Sequence, residues 1–319
     1  MQQQVLDLID RQLDEWKTVS DNYAALGRVS LRGFQLNERS EVVLQYNPER
    51  KRSSGAKMDA ESIKARKCFL CSENQPVEQE AIEWEGRYKI QVNPYPIFPS
   101  HFTISAMEHT PQSIEGRRID DMLNLAHELT EFVLFYNGPR CGASAPDHMH
   151  FQAGNKGFMP LCDEVMDPSL WTPEHQLLSS KEGFLGYSSA LGRNLFFIKA
   201  SERVVASILF AKLQLAMLLA SEDYDNEPMQ NVLCWCADED GDYCVVVFPR
   251  SKHRPDCYGD GVGQMLISPA SVDMGGVWAV PVEKDYDAIT VEQVQAIYDE
   301  LCMDNAGMVK IIETLIHQD

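Results

Sequence analysis

The run His148-Met149-His150-Phe151-Gln152 sets the narrowest limit on how this chain can fold. Alternate side chains of an extended strand share a face, so His148, His150 and Gln152 project together while Met149 and Phe151 point to the opposite side. The spacing predicts, over Cys141–Ala153, a strand whose apolar face enters a core and whose other face carries a row of rings and an amide. An ordinary half-buried strand places Thr, Ser, Lys or Glu at such positions. A neutral imidazole is a good nucleophile toward phosphorus and a fair leaving group, so a covalent phospho-histidine can split one difficult exchange into two easier ones. An amide can hold a phosphate oxygen without titrating. The row is therefore read as a site in which His150 attacks a phosphate and Gln152 holds one of its oxygens. Upstream, the small residues Gly142-Ala143-Ser144-Ala145 allow backbone N–H groups to approach phosphates, and Asn137 and Arg140 add donors at the turn entering the strand.

A second constellation concerns metal. Cys68 and Cys71 form the only C-x-x-C, a tight turn with two thiols at zinc spacing. His109, at the end of a strand-like segment and just before Thr110-Pro111, and His148 are the candidates to complete a Cys2His2 tetrahedron. Four protein ligands leave no open position, so such zinc is structural, fixing His148 and steadying its neighbour His150. The rival for the cysteine pair is a redox couple, for which no thioredoxin-like βαβ context is present. Nine cysteines in a chain of 319 residues do not form a secreted disulfide framework, and Cys234, Cys236 and Cys244 read as buried thiols in strand-like sequence.

Length favours two domains. The first cycle has a helix over residues 4–26, strands at Val29–Leu36 and Glu41–Tyr46, and a basic connection Asn47–Lys67. Strands at Tyr88–Asn93 and His101–Ala106, a helix over Ile119–Tyr136 and the histidine strand follow. The irregular segment Ala153–Gln176 reads as a folded loop able to cover a site. A strand at Asn194–Ala200, a helix over Arg203–Leu219, a hairpin of Val232–Ala237 and Tyr243–Pro249 around Asp238–Asp242, a strand at Val277–Pro281 and a helical close at Val291–Ile316 make a second cycle. The recurrence points to an internal duplication, divided into residues 1–180 and 181–319.

Charge excludes some functions. With 28 basic against 48 acidic residues the net charge is −20, a surface that repels nucleic acid and anionic lipid, although a local cluster of donors can still accept a small phosphorylated substrate. No uninterrupted apolar run of about 18 residues indicates a membrane span. The N-terminus lacks the basic start and apolar block of a secretion signal, so a cytoplasmic location is expected.

Taken together, Cys68-x-x-Cys71, His109 and Gly142-x-Ser144-x-x-x-His148-x-His150-x-Gln152 resemble the histidine-triad superfamily, in its galactose-1-phosphate uridylyltransferase branch. That branch has Gln where the hydrolytic members have a third His, a form shared with diadenosine tetraphosphate phosphorylases and GDP-galactose phosphorylases. The resemblance covers residues 68–153 and is thin elsewhere. It implies an α+β fold of two triad-like halves, each an antiparallel sheet with packed helices. It also implies a nucleotidyl-His150 intermediate, zinc held by Cys68, Cys71, His109 and His148, and His101 close to the site. The substrate class implied is a nucleotide sugar or a dinucleotide, with phosphate or a sugar 1-phosphate as acceptor, and members are often homodimers. Met149 stands where the uridylyltransferases usually have Pro, and their sugar-binding pattern is not recognisable in the second half. The second half does hold Phe248-Pro249-Arg250-Ser251-Lys252, similar to a Pro-Arg segment of the phosphorylases, with Arg250 and Lys252 as a cationic clamp. A triad-type hydrolase and a non-catalytic nucleotide-binding protein are the alternatives. Against the hydrolase stands Gln152, which cannot relay a proton to a leaving group.

Overall fold

Strand pairing organises the computed structural model, which describes residues 1–50, 60–237 and 241–317. Helices α1 (Gln2–Glu15) and α2 (Lys17–Leu26) precede the hairpin β1 (Ser30–Asn37) and β2 (Ser40–Tyr46). Next come β3 (Ile82–Trp84), β4 (Tyr88–Val92), β5 (His101–Ala106), α3 (Arg118–Glu128), β6 (Phe132–Asn137), β7 (His150–Asn155) and the short α4 (Pro160–Glu164). A second series follows: β8 (Gln176–Ser179), β9 (Gly183–Ser188), β10 (Leu195–Ala200), α5 (Arg203–Ser221), β11 (Gln230–Cys236) and β12 (Tyr243–Pro249). The chain closes with α6 (Ser271–Met274), β13 (Val277–Val280), α7 (Val291–Leu301) and α8 (Asn305–Ile316).

One antiparallel sheet runs β3-β4-β5-β7-β6-β11-β12-β10-β9-β8, and β1, β2 and β13 make a smaller one. The large sheet is a repeat. Its left half, β3-β4-β5-α3-β6-β7, recurs in the same chain order as β8-β9-β10-α5-β11-β12. Superimposing the ends of β5 and β10, Ala106 on Ala200, carries Thr103 onto Phe197 and, through cross-strand pairs, Gln152 onto Val246 and Phe135 onto Leu233. Phe135 and Leu233 are themselves paired, so a pseudo-two-fold axis passes between them. The sequence-derived α+β fold of two antiparallel halves is the fold observed.

Each face of this sheet is covered differently. Buried residues of α1, α3, α5 and α8 pack on one face, where Met149 and Phe151 enter the core. The other face carries the smaller sheet, α7 and the segment from Met159 to Trp171. That segment covers the second half: Leu170 and Trp171 join Phe197, Leu233, Trp235, Cys244 and Val246 in one apolar cluster. Within Ala153–Gln176, foreseen as a folded loop over a site, Leu161, Cys162, Val165 and Trp171 are core residues.

Three expectations change. The helix foreseen over Ile119–Tyr136 is α3 followed by the strand β6. All six β6 residues are buried because β6 lies between β7 and β11, so the alternation that marks a half-exposed strand is missing. The helix over residues 4–26 breaks at Trp16, whose backbone is extended. Arg203–Ser221 is by length and composition apolar enough to cross a membrane, contrary to the reading of the sequence. In this fold its Ala206, Leu209, Phe210, Leu213, Ala216 and Met217 are buried against neighbouring elements. Residues 51–59 of the basic connection Asn47–Lys67 and the turn residues 238–240 lie outside the described residues.

Candidate active site and metal centre

The strand carrying the histidines begins only at His150, and His148 belongs to the loop before it. The His148 Nε2–H donates to the Ala106 carbonyl at 2.8 Å, which leaves Nδ1 as the lone-pair nitrogen. That Nδ1 lies 3.3 Å from Cys68 Sγ and 3.6 Å from Cys71 Sγ, and His109 Nδ1 lies 3.1 Å from Cys71 Sγ. All four ligand atoms fall within 4.8 Å of one another. Zinc–sulfur and zinc–nitrogen bonds of about 2.3 and 2.05 Å in a tetrahedron give S···N edges of about 3.6 Å, so the cluster has the donor set and the size for such an ion. Burial, and then the neighbouring Cys68, push the Cys71 thiol up to about 11. Asp147 supports the cluster from outside, 3.9 Å from His109 Nε2 and ion-paired with Arg66 at 2.7 Å. The turn after Cys71 is tied to β4 by Lys89, whose Nζ donates to Ser72 Oγ and Gln75 Oε1 at 2.9 and 2.8 Å.

His150 is buried and its tautomer is fixed by the backbone. Nδ1–H donates to the His148 carbonyl at 2.8 Å, so Nε2 carries the free lone pair. Burial lowers its pKa to about 4, which keeps the ring neutral and nucleophilic at physiological pH. The metal loop thus fixes His148, and His148 in turn supplies the acceptor that aims His150.

Gln152 is oriented by two donors whose roles follow from obligatory backbone N–H groups. Ile97 N–H bonds to His101 Nδ1 at 3.2 Å, so His101 Nε2 carries the proton and donates to Gln152 Oε1 at 3.0 Å. Tyr95 N–H bonds to Asn93 Oδ1 at 2.9 Å, so Asn93 donates through Nδ2 to the same Oε1 at 3.3 Å. The Gln152 amide nitrogen is thereby turned away from both donors and is available to a ligand oxygen. His101 is fully buried, with a pKa lowered to about 3 by burial and then by Arg50, so it remains a neutral donor. It sits near the site, as the resemblance implies, and acts on Gln152.

The remaining sequence candidates are placed as follows. Asn137 Oδ1 accepts from Asn231 Nδ2 at 2.9 Å and from Ser271 N–H at 2.8 Å, joining the second half to the edge of the site. Ser144 lies in a loop whose Gly142, at φ +94°, is pressed so closely on Ala270 that a Cβ would come within 2.7 Å of the Ala270 Cβ. Arg140 is turned outward to Asp223 and the Glu227 carbonyl. Arg250 is not a clamp. It is buried, and its guanidinium donates to Asn231 Oδ1 and to the carbonyls of Leu301, Pro269, Lys252 and His253, which engages its whole donor set. Lys252 pairs with Asp256 and Glu300. The Pro-Arg pattern in the sequence marks this internal brace, which a charged turn and a phosphate clamp resemble equally.

Sequence reasoning missed three residues. Gln112 bonds to both backbone groups of His150. Asn93 orients Gln152, and nothing in Asn-Pro-Tyr-Pro announces it. Arg50, inside the basic connection, donates through Nη1 to the Tyr95 carbonyl at 2.7 Å, while its buried Nε has no partner among the described residues. It lies close enough to His101 and Asp273 to act on both electrostatically.

Residues 8–155 match a family described as "Domain of unknown function (DUF4922)". No curated protein matches the sequence. Among solved structures, yeast Ap4A phosphorylase Apa2 superimposes with a TM-score of 0.58 at 15% identity, over 90% of this chain and 96% of that one. Its complex with Ap4A gives 0.55 at 16% identity, over 91% and 97%. This is the doubled histidine-triad fold. A GalT-like protein from Arabidopsis thaliana is more distant, with a TM-score of 0.41 and 14% identity over 86% of this chain and 99% of that one. Within the doubled fold, His150, Gln152 and His101 of the first half correspond by register to Cys244, Val246 and Leu195 of the second. Those three are buried in an apolar cluster, so the second copy of the site is filled.

Proposed function

We propose that this protein is a nucleotidyltransferase or phosphorylase acting on a nucleotide sugar or dinucleotide through a covalent nucleotidyl-His150. The observation that carries the reading is the Nδ1–H bond to the His148 carbonyl, which leaves a neutral, buried Nε2 lone pair as nucleophile. In the first step Nε2 attacks the phosphorus, an N–P bond forms, and the P–O bond to the sugar phosphate or nucleotide breaks with its electron pair leaving on oxygen. In the second, an oxygen of phosphate or sugar 1-phosphate attacks the same phosphorus and the N–P bond breaks, returning the lone pair to Nε2. The proton stays on Nδ1 throughout, hydrogen-bonded to the His148 carbonyl.

Gln152 donates its amide N–H to a phosphoryl oxygen in both steps, held by His101 and Asn93. Arg50, with an unused buried donor near His101, is the side chain best suited to the remaining phosphate charge in so acidic a chain. Cys68, Cys71, His109 and His148 would hold zinc. Such an ion supplies structure, and the residues it holds are those that fix His150. The likeness in fold to Ap4A phosphorylase supports the dinucleotide branch of the reading. A panel of nucleotide sugars and dinucleoside polyphosphates, each incubated with and without phosphate, tests it. Turnover that requires phosphate or a sugar 1-phosphate is expected, and equal turnover in plain buffer would mean a hydrolase.

A further inference from the structure

At the start of β7 the sheet departs from regular pairing, and one side chain fills the gap. Ala106 N–H bonds to the Met149 carbonyl across the β5–β7 boundary. Backbone groups alternate in direction along an antiparallel strand, so the N–H and C=O of His150 face β6. Extending the β6–β7 register from Phe135↔Gln152 puts Asn137 opposite His150, yet the ladder ends at Phe135↔Gln152. The Gln112 carboxamide occupies the next rung. Its Oε1 accepts from His150 N–H at 2.8 Å, and its Nε2 donates to the His150 carbonyl at 3.0 Å and the Asn137 carbonyl at 2.9 Å. The amide cannot be reversed, because a backbone N–H only donates and a carbonyl only accepts.

Gln112 is itself held. It is 3% exposed, its N–H donates to the Pro146 carbonyl at 3.0 Å, and Met149 N–H donates to the Thr110 carbonyl at 2.7 Å. Segment 109–112 is thus stitched to segment 146–150, with His109 at the head of one and His148 within the other. We propose that Gln112 is a positioning residue for His150. Its carboxamide keeps β6 and β7 further apart at the nucleophile than the Cα spacing of about 5.5 Å in a hydrogen-bonded pair, and fixes the backbone from which the imidazole is aimed. The proposal rests on His150 being the nucleophile.

Gln112→Glu tests it, because the shape is kept while the donor depends on protonation. As a carboxylate it still accepts from His150 N–H but faces the carbonyls of Asn137 and His150 without a proton. As a neutral acid it restores one donor bond, and burial favours that form. The other titratable groups around this segment are His148, His150, Glu227, which accepts from Ile114 N–H, and Arg118, which donates to the Pro111 carbonyl. At saturating dinucleotide, the rate of nucleotidyl-His150 formation should fall on the order of 100-fold at pH 8 and recover as pH is lowered to about 5.5. The wild type should change little over that range, and dinucleotide affinity at equilibrium should shift by less than about threefold in the variant. Gln112→Met, of similar volume and without hydrogen-bonding groups, should lose rate without recovery at any pH. Wild-type rates in the variants, or rate and affinity lost in parallel at every pH, would overturn the proposal. A wild type that binds dinucleotide but forms no adduct would overturn the His150 reading first, and the proposal with it.

Discussion

At the scale of single residues, the chemistry depends on where protons sit. His150 donates through Nδ1 and His101 through Nε2, and each assignment is forced by a backbone group. The pH dependence follows with its sign. Protonated His150 cannot attack, and burial lowers its pKa to about 4 against 6.5 for an exposed imidazole. Adduct formation by the wild type should therefore be level from pH 8 to about pH 5 and fall only below that. A single-turnover pH profile checks this, and a midpoint near 6.5 would show a solvated ring. The positions of His150 and Gln152 on one strand were legible in the sequence because alternation on a strand is a local pattern. The roles of Gln112 and Asn93 were not, since each acts through side-chain hydrogen bonds made over long stretches of chain, 38 positions from Gln112 to His150 and 59 from Asn93 to Gln152.

At the scale of elements, the cluster of Cys68, Cys71, His109 and His148 is the device that links distant segments. Cys68 and Cys71 reach His148 and His109 only because the loop after β5 and the loop before β7 meet at that end of the sheet. Cys71→Ser should remove bound metal and lower the unfolding temperature by on the order of 5–10 °C, with adduct formation slowed because the His148 carbonyl loses its anchor. Metal analysis and calorimetry on the same samples check this. Full metal content in the variant would remove Cys71 from the ligand set. The C-x-x-C was readable because its spacing is local. Strand β6 was not, because a fully buried strand shows no alternation and its apolar residues continue the pattern of α3.

At the scale of the whole molecule, duplication built a sheet of which one half keeps a polar site and the other is filled. His150 corresponds to Cys244, Gln152 to Val246 and Asn137 to Trp235, and apolar packing with Trp171 and Phe197 takes the place of a second site. Cys244→Ala should leave turnover within about twofold of wild type and cost about 1–2 kcal/mol of stability, read from denaturant unfolding. A large loss of turnover at unchanged stability would give the second half a catalytic role. The duplication itself was visible as a recurring order of strand, helix and hairpin. The filling of one site was not, since it depends on which face the segment from Met159 to Trp171 packs against.

All of these expectations converge on one bond. The chain should be mixed, without acceptor, with a dinucleoside polyphosphate or nucleotide sugar labelled at the α-phosphorus, quenched in alkali and digested for mass spectrometry. A nucleoside monophosphate carried on the peptide that contains His150, released on adding phosphate and lost in His150→Ala, is the predicted result. Label that stays non-covalent while wild type turns substrate over, or an adduct on another residue, would contradict the account.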